Sequence, residues 1–439
     1  MRNGVFPAPR ALIAFSVPLA VSALAFIWPP ALWIALAIDC AALLVLICDL
    51  LISPWYGRRP HIEVRLPAAM VINRFNDFSI RVANDTRLPV RFRLLLDCDE
   101  SFDRAYSRKV ISAGPGQTRE EAARLFARRR GVFTVRRFFI KGRSVLGLLT
   151  FFRRHDLQAD VLVPPFIRPV NEVFRMVQKN IEVREGAQKS AFLGEGRDFE
   201  MLKAYAKGDD FNKIDWKTTA RLRTPVTRVY RLENTLEVAL VVDCGRIMAT
   251  EVDGMSLLDY AADAALVLSY AAVRNYDSVS LTCFGGDVKQ YVPPIKQKRD
   301  LQRLSLALTL AEYEQREPDF GGALGFVART LSKRSLVIVL TDLVDDSNCR
   351  VLESAFSVLR RRHLVLLTLI RDKRLFAAGE SRIDRLLSIH VKAAAADLIM
   401  RRAKSIASLR RLGIDVLDVY PEQVSASLVN HYLDLKSRN

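Results

Sequence analysis

The sequence predicts an α/β protein in which a doubly wound, mostly parallel sheet follows a two-helix membrane hairpin and a small β-sandwich. Three observations lead to this fold class: two long apolar runs near the N-terminus, period-2 alternation in the segment after them, and alternating strand and helix patterns in the C-terminal half. The expected division is a transmembrane hairpin at 1–55, a β-sandwich-like module at 56–170, a motif segment at 171–235 and the α/β domain at 236–439.

Length and charge limit the classes of protein to consider. A chain of 439 residues is longer than an ordinary domain, and half of its residues are apolar, which is enough to form cores. The net charge of +18 implies contact with an anionic species: lipid headgroups, nucleic acid or an acidic protein. The six cysteines show no zinc-type spacing. No Walker A sequence is present, so any ATP use belongs to a partner.

The N-terminal apolar runs predict two membrane-spanning helices. Residues 11–28 and 31–53 are each long enough to cross a bilayer core of about 30 Å. Pro29 and Pro30 separate the runs and mark a turn. Arginines flank the outer ends and the turn has none, so both ends are expected to face the cytoplasm. The prediction is a two-pass inner (cytoplasmic) membrane protein that contacts lipids through this hairpin and has its body in the cytoplasm.

The next segment, 56–170, has the alternation of half-buried strands, as in HIEVRL, FSIRVAN and GVFTVRRFFIK. An antiparallel sandwich is the natural assembly of such strands. Arginines and lysines are dense on its last strands. Two interpretations stay open: these cations bind anionic headgroups, or they form a solvated strand face.

The motif segment places acids and cations around one tryptophan. Asp209 and Asp210 are adjacent, Asp215 follows five residues later, and lysines and arginines surround Trp216. The three acids are candidates for a metal site or for catalysis. The excess of cations argues against an acidic metal pocket, and no nucleophile–base pair accompanies the acids. No specific nucleic-acid binding is expected, because no known nucleic-acid-binding motif is present.

The same acids can instead make structural bonds. Asp210 is placed to cap a short helix beginning near Phe211, and Asp215 can pair with Lys217 or Arg221. The candidates for contact with a partner are Arg197, Asp198, Asp209, Asp210, Asp215, Trp216, Lys217, Arg221, Arg228 and Arg231.

This segment resembles the signature of the domain of unknown function 58 family: G-x-G-x-D-F, Y-x-x-G-D-D, I-D-W-K-x-x-A-R and a basic strand that ends in an acid. The matching residues are Gly194, Gly196, Asp198, Phe199, Tyr205, Gly208, Asp209, Asp210, Ile214, Asp215, Trp216, Lys217, Ala220, Arg221 and Glu233. The resemblance implies an N-terminal membrane hairpin and a partnership with a MoxR-type AAA+ ATPase.

The C-terminal half alternates strands and helices. The apolar runs LEVALVVD, SLVIVLTD and LVLLTLIR have the composition of buried parallel strands, and residues 255–274 have helical spacing. Asp243 and Asp342 follow two of these strands. Ligands of such sheets bind at the carboxyl ends of the strands.

This arrangement resembles a von Willebrand factor A domain, which implies a metal site with a D-x-S-x-S motif. Here both serines are absent after Asp243, and only Asp342 matches among the other ligands. The expectation is a degenerate site that holds no cofactor beyond weakly bound Mg²⁺. Arg246 is expected to neutralise Asp243 as an ion pair.

The sequence therefore predicts an interaction or adaptor protein, tethered to the membrane, that is not itself an enzyme. Its expected partner is a MoxR-type AAA+ ATPase, in a chaperone-like or envelope-related role. Two alternatives stay open: a protein that binds anionic lipid or another polyanion, and an enzyme that uses Asp209, Asp210 and Asp215.

Overall fold

The structure is a computed structural model, and it describes residues 4–11, 16, 31–55, 60–99, 101–103, 110–165, 193–206, 209–231, 235–342, 346–380 and 386–438. The chain divides into two compact units, Met1–Phe166 and Ile167–Asn439. The predicted division into four segments stays a prediction.

The first unit is built mostly from strands. Its elements are β1 (Gly4–Pro7), α1 (Ala31–Ile52), β2 (His61–Arg65), β3 (Phe75–Ala83), β4 (Val90–Asp97), β5 (Phe102–Asp103), β6 (Val110–Ala113), β7 (Thr118–Ala127), β8 (Gly131–Arg143) and β9 (Leu149–Val163). They form two sheets, in the orders β1-β9-β8-β4-β6 and β2-β3-β7-β5, with antiparallel pairing throughout. Alternate side chains of β4 are buried, as its period-2 sequence requires.

The core of this unit also takes in residues of the second apolar run and the tryptophan that follows it. Trp55 is buried in it, and Leu46 and Leu50 of α1 pack against it. The Asp49 carboxylate accepts a hydrogen bond from the Leu146 N–H at 2.9 Å. The C-terminal end of this run therefore contributes to a protein core, and apolar composition alone does not separate such a helix from one that faces lipid.

The predicted membrane topology is contradicted. Within the described ranges, no helix is both long and apolar enough to cross a bilayer. Most of the first apolar run, residues 12–15 and 17–28, lies outside the described residues. The two-helix membrane hairpin and the two-pass inner-membrane location are therefore not retained.

The second unit begins with the motif segment and continues into a larger sheet. Its strands are β10 (Leu193–Ala204), β11 (Val226–Arg231), β12 (Glu237–Asp243), β13 (Glu251–Val252), β14 (Met255–Ser256), β15 (Ser278–Phe284), β16 (Val288–Ile295), β17 (Leu336–Thr341), β18 (Leu364–Ile370) and β19 (Asp415–Val419). Its α-helices are α2 (Trp216–Leu222), α3 (Leu257–Arg274), α4 (Leu301–Leu310), α5 (Phe320–Thr330), α6 (Asp346–Leu359), α7 (Lys373–Glu380), α8 (Leu386–Arg411) and α9 (Val424–Arg438).

The larger sheet has the strand order β16-β15-β12-β17-β18-β19. Its central strand β12 is covered on both faces: Val238, Leu240 and Val242 belong to one apolar cluster, and Ala239 and Val241 belong to another. Helix α3 begins at a capping box, in which Ser256 and Asp259 exchange side-chain-to-backbone hydrogen bonds.

The predicted fold class is wrong as stated. Parallel pairs occur in only one of the five sheets of the described chain, and that sheet is mixed, because β16 runs antiparallel to β15. In place of a doubly wound, von Willebrand factor A-like sheet behind a two-helix hairpin, the structure has a largely antiparallel unit, followed by one mixed six-stranded sheet and two antiparallel two-stranded sheets. The physical reason is that hydrophobic periodicity identifies strands but does not fix their direction.

Candidate functional site

The first two acids of the motif are bound by donors of their own segment. Asp209 accepts hydrogen bonds from Lys203 Nζ at 2.7 Å and from the Ala206 N–H at 2.9 Å. Asp210 accepts a hydrogen bond from the Asn212 N–H at 3.0 Å and caps the short 3-10 helix that follows it, as the sequence predicts. Both acids thus close the turn between β10 and α2.

Asp215 is also bound within the segment. One carboxylate oxygen accepts the Thr218 N–H at 3.0 Å and caps α2, and the other accepts Arg228 Nε at 2.9 Å. The expected partners Lys217 and Arg221 do not make this ion pair. Arg228, a candidate for partner contact, therefore connects β11 to the start of α2.

These bonds keep the carboxylates ionised. The hydrogen bond from Lys203 lowers the pKa of Asp209. The pKa of Asp215 is lowered first by the Thr218 N–H and next by Arg228. A general acid needs a raised pKa, and the pKa of each of these two groups is lowered. The arrangement is that of a structural brace.

Two aromatic rings of the motif segment lie in solvent. Phe211 is 64% exposed and Trp216 is 59% exposed, and the two rings meet edge to face with their centroids 5.5 Å apart. Large exposed aromatic side chains are enriched where proteins bind each other, because they bury much area with little loss of side-chain entropy. Neither ring belongs to an apolar core cluster described in the second unit.

Three exposed cations accompany the rings on or directly after α2: Lys217, Arg221 and Arg223. None of them forms an ion pair with a carboxylate in the part of the chain that the structure describes. We call Phe211, Trp216, Lys217, Arg221 and Arg223 the aromatic–basic surface. Its composition, with aromatic rings and arginine, is that of a binding hot spot for an acidic partner.

Arg223 ends α2 in a left-handed backbone conformation, with φ of 56°. This position favours glycine, because a Cβ atom crowds the following carbonyl there. An arginine in a conformation of this kind costs stability. Such positions concentrate at functional sites, where the side chain is retained for another reason.

Three sequence candidates have only their backbone described. Asp198 of β10 lies opposite Arg231 of β11 in the antiparallel register, and Arg197 precedes it. Their side chains lie outside the described residues. Their predicted contact with a partner stays a prediction.

The two strand-end aspartates lie on neighbouring strands, β12 and β17, and both are buried. Asp243 accepts hydrogen bonds from the Gly245 N–H and from Thr341 Oγ1, each at 2.6 Å. Burial raises the pKa of Asp243 to about 6 against the lowering effect of these two donors, and Asp342 raises it further. Asp243 is thus held by protein donors.

Asp342 forms an ion pair with a buried arginine, Arg402 of α8. The same guanidinium contacts Asp418 Oδ1 at 2.9 Å, and Arg371 contacts Asp418 Oδ2 at 2.9 Å. Asp342, Arg402, Asp418 and Arg371 thus form a chain of alternating charges, which we call the charge chain. It joins the ends of β17, β18 and β19 to α8.

Sequence reasoning missed Arg402, although a signal for it exists. Ala395, Arg402, Ile406 and Leu409 are all buried and repeat at intervals of seven, four and three along α8. An arginine at a core position of an amphipathic helix indicates a buried ion pair, because an unpaired charge is costly there.

The carboxylates of Asp243 and Asp342 at the strand ends are bound by donors of the protein itself. Arg246 pairs with Glu317 at 2.8 Å and not with Asp243, so the predicted neutralisation of Asp243 is wrong. Asp342 is already bound to a guanidinium, and Mg²⁺ needs about six oxygen ligands. Among the described side chains, no group of three His, Cys, Asp or Glu is arranged to hold a metal.

Comparison with known families identifies the motif segment together with much of the larger sheet. The family described as "Protein of unknown function DUF58" matches residues 201–386. These residues are therefore a DUF58 region. The DUF58 region contains the braced acids, the aromatic–basic surface, Asp243 and Asp342. No curated protein matches the sequence.

The solved structures compared with this chain are only weakly similar to it. The conserved hypothetical protein BatB from Bacteroides thetaiotaomicron is 14% identical, with a TM-score of 0.30, over 46% of this chain and 100% of that protein. The pilus adhesin SpaC from Lactobacillus rhamnosus GG is also 14% identical with a TM-score of 0.30, over 46% of this chain and 30% of the adhesin. Proximal thread matrix protein 1 from the mussel byssus is 10% identical, with a TM-score of 0.27, over 44% of each chain. Similarities of this size carry no argument about function.

Proposed function

We propose that this chain is an interaction protein that binds an acidic partner through the aromatic–basic surface. The observation that carries this proposal is the exposed pair of Phe211 and Trp216 beside three cations without a described acidic partner. The partner class proposed from the family resemblance is a MoxR-type AAA+ ATPase, for which the chain would act as an adaptor in a chaperone-like or envelope-related role.

The alternative of an enzyme has less support. Asp209, Asp210 and Asp215 each accept a hydrogen bond from the backbone, and two of them also hold a cation. Asp209 and Asp215 accept a donor at each carboxylate oxygen, and such donors favour the ionised form over the protonated form that a general acid needs. The same bonds explain why acids recur in a basic segment, since they shape the loop that presents the two rings.

The test uses the full chain and a purified MoxR-type AAA+ ATPase. The two proteins are co-purified with a non-hydrolysable ATP analogue, with ADP and without nucleotide. The proposal predicts nucleotide-dependent recovery that falls at least tenfold in Phe211→Ala/Trp216→Ala, because loss of a hot-spot aromatic typically costs about 2 kcal/mol or more. The matched control is Tyr276→Ala, which removes an aromatic ring that is 83% exposed elsewhere in the second unit.

Charge reversal separates specific docking from general attraction. Lys217→Glu/Arg221→Glu is expected to weaken binding and its salt dependence, whereas Arg228→Glu is expected to lower the melting temperature, because it breaks the brace to Asp215. Equal recovery of the ATPase by the wild type and by both ring and charge variants would contradict the proposal. Binding to heparin or anionic vesicles that depends on the same cations, with no ATPase recovered, would favour the polyanion alternative.

A further inference from the structure

A second surface of the molecule has the shape of a docking groove. Helices α5 and α6 enclose an open groove of about 520 Å³, with Gly321 and Gly325 on one wall and Val351 and Val358 on the other. Val351 and Val358 are seven residues apart on one helix, which corresponds to about 10 Å along the groove. The groove is therefore elongated and runs along the helices.

The groove is open because the wall formed by α5 presents glycine and alanine to it. Gly321, Gly325 and Ala328 recur along α5 at the spacing of a single helix face. A Cβ atom built on Gly325 would meet only Arg329 Nη1, at 3.6 Å, and one built on Gly321 would meet nothing closer than 3.5 Å. A helix interior normally favours residues other than glycine by about 1 kcal/mol. The two glycines thus cost stability and leave space that the fold itself does not fill.

The opposite wall exposes apolar side chains to water. Val358 is 62% exposed and Val351 is 43% exposed, above a floor formed by the buried Leu324 and Leu359. Apart from Arg350 and Ser354, the described residues that line the groove are apolar or glycine. A small-molecule site would need several convergent polar groups, whereas a helix needs an apolar trough and a few contacts at its edge.

The charge at the groove is positive. Arg350 lines it, Arg329 lies beside Gly325, and none of the lining residues described is acidic. The nearby Asp319 is occupied, because it accepts a hydrogen bond from the Gly322 N–H at 2.9 Å and caps α5. Arg350 lies in the second turn of α6, so the helix dipole does not account for it as it does for Arg329 near the C-terminal end of α5.

We propose that this groove binds an amphipathic helix of a partner protein, with apolar residues at positions i, i+3 or i+4 and i+7 and with acidic residues at the flanks. The apolar face would lie against Val351 and Val358, and a glutamate or aspartate would pair with Arg350. The groove is separate from the aromatic–basic surface, so this proposal does not depend on the proposed function.

The test uses fluorescein-labelled peptides of about 15 residues. One carries leucines at the stated spacing with glutamate flanks, the second has the same leucines with lysine flanks, and the third is a scrambled acidic peptide. Fluorescence anisotropy with the full chain is expected to show binding of the first peptide and at least tenfold weaker binding of the other two. Arg350→Glu is expected to weaken binding of the first peptide by fivefold or more and to strengthen binding of the lysine-flanked peptide.

The decisive variant is Gly325→Leu, which adds a side chain to the open wall, where a Cβ atom meets only the end of the Arg329 side chain, at 3.6 Å. It is expected to abolish peptide binding and to keep or raise the melting temperature, since leucine is a better helix former than glycine. The matched control is Ala394→Leu, at an exposed position of α8, and Trp216→Ala excludes binding at the aromatic–basic surface. The proposal is overturned if the acidic leucine peptide does not bind, if Gly325→Leu leaves its binding unchanged, or if Trp216→Ala removes it.

Discussion

At the scale of single residues, Asp209, Asp210 and Asp215 of the motif segment make structural hydrogen bonds, whereas the rings and cations of the aromatic–basic surface are exposed. Asp210 and Asp215 cap helices, while Phe211, Trp216 and Arg223 extend outward. The sequence shows that these residues occur together. It does not show which carboxylate faces which donor, because that depends on the path of the loop between β10 and β11.

Substitution of Arg223 is expected to change stability and binding in opposite directions. Arg223→Gly is expected to raise the free energy of unfolding by about 1 kcal/mol, because glycine adopts the left-handed conformation without crowding. The same variant is expected to weaken binding of an acidic partner, since it removes one cation of the aromatic–basic surface. Urea denaturation and a binding titration on the same preparation check both effects. A variant that is less stable than the wild type would show that the arginine side chain supports the fold.

Asp243 gives the second unit a distinct pH dependence. Its pKa in the folded protein, about 6, lies above the ordinary value of 3.8. The folded state therefore holds the proton more tightly than the unfolded state, so this group destabilises the protein as pH rises from about 4 through 6. The full penalty, at neutral pH, is about 3 kcal/mol.

The measurement is urea denaturation of the wild type and Asp243→Asn between pH 4 and pH 7. The difference in unfolding free energy between the two proteins is expected to shift in favour of the variant as pH rises, because asparagine does not ionise. A difference that stays constant over this range would show that Asp243 does not titrate there.

At the scale of elements, the charge chain holds α8 to the ends of three strands. Its central member, Arg402, is buried and contacts both Asp342 and Asp418. Removing one partner of a buried ion pair leaves the other charge uncompensated, which costs more than the pair contributes when intact. The charge chain thus holds α8 against the strand ends. It also engages Asp342, the second candidate for a metal ligand, in an ion pair with Arg402.

Arg402→Met is therefore expected to lower the free energy of unfolding by about 3–5 kcal/mol. Asp342→Asn/Arg402→Met is expected to recover part of this loss, because it also removes the carboxylate charge that Arg402 balances, while Asp418 keeps its ion pair with Arg371. Thermal and urea denaturation of both variants and of the exposed control Arg401→Met check this. Equal stability of Arg402→Met and Arg401→Met would contradict the structural role of the charge chain.

Some elements of the structure could be predicted from the sequence and others could not. The apolar run LEVALVVD contains β12, and the helical pattern at 255–274 contains α3, because local periodicity is decided by which faces are buried. The fold class as stated and the membrane hairpin were predicted wrongly, since both depend on partners distant in sequence. Leu46, Leu50 and Asp49 show this, because they contact the core and a loop of the first unit.

At the scale of the whole molecule, part of the net charge of +18 lies on the aromatic–basic surface. Many cations are paired with acids inside each unit, but those of the aromatic–basic surface are not paired with a described carboxylate. A positive patch with aromatic anchors selects an acidic partner and increases its rate of association. Binding is expected to weaken with added salt to a smaller extent in Lys217→Glu/Arg221→Glu than in the wild type.

The central claim is that the aromatic–basic surface touches a partner protein, and site-specific photo-crosslinking tests it most directly. A photoreactive benzoylphenylalanine replaces Trp216 in one protein and Tyr276 in the control, and adducts formed in cells are identified by mass spectrometry. The account predicts an adduct with an AAA+ ATPase from position 216 and none from position 276. No adduct from position 216, or the same adducts from both positions, would contradict it.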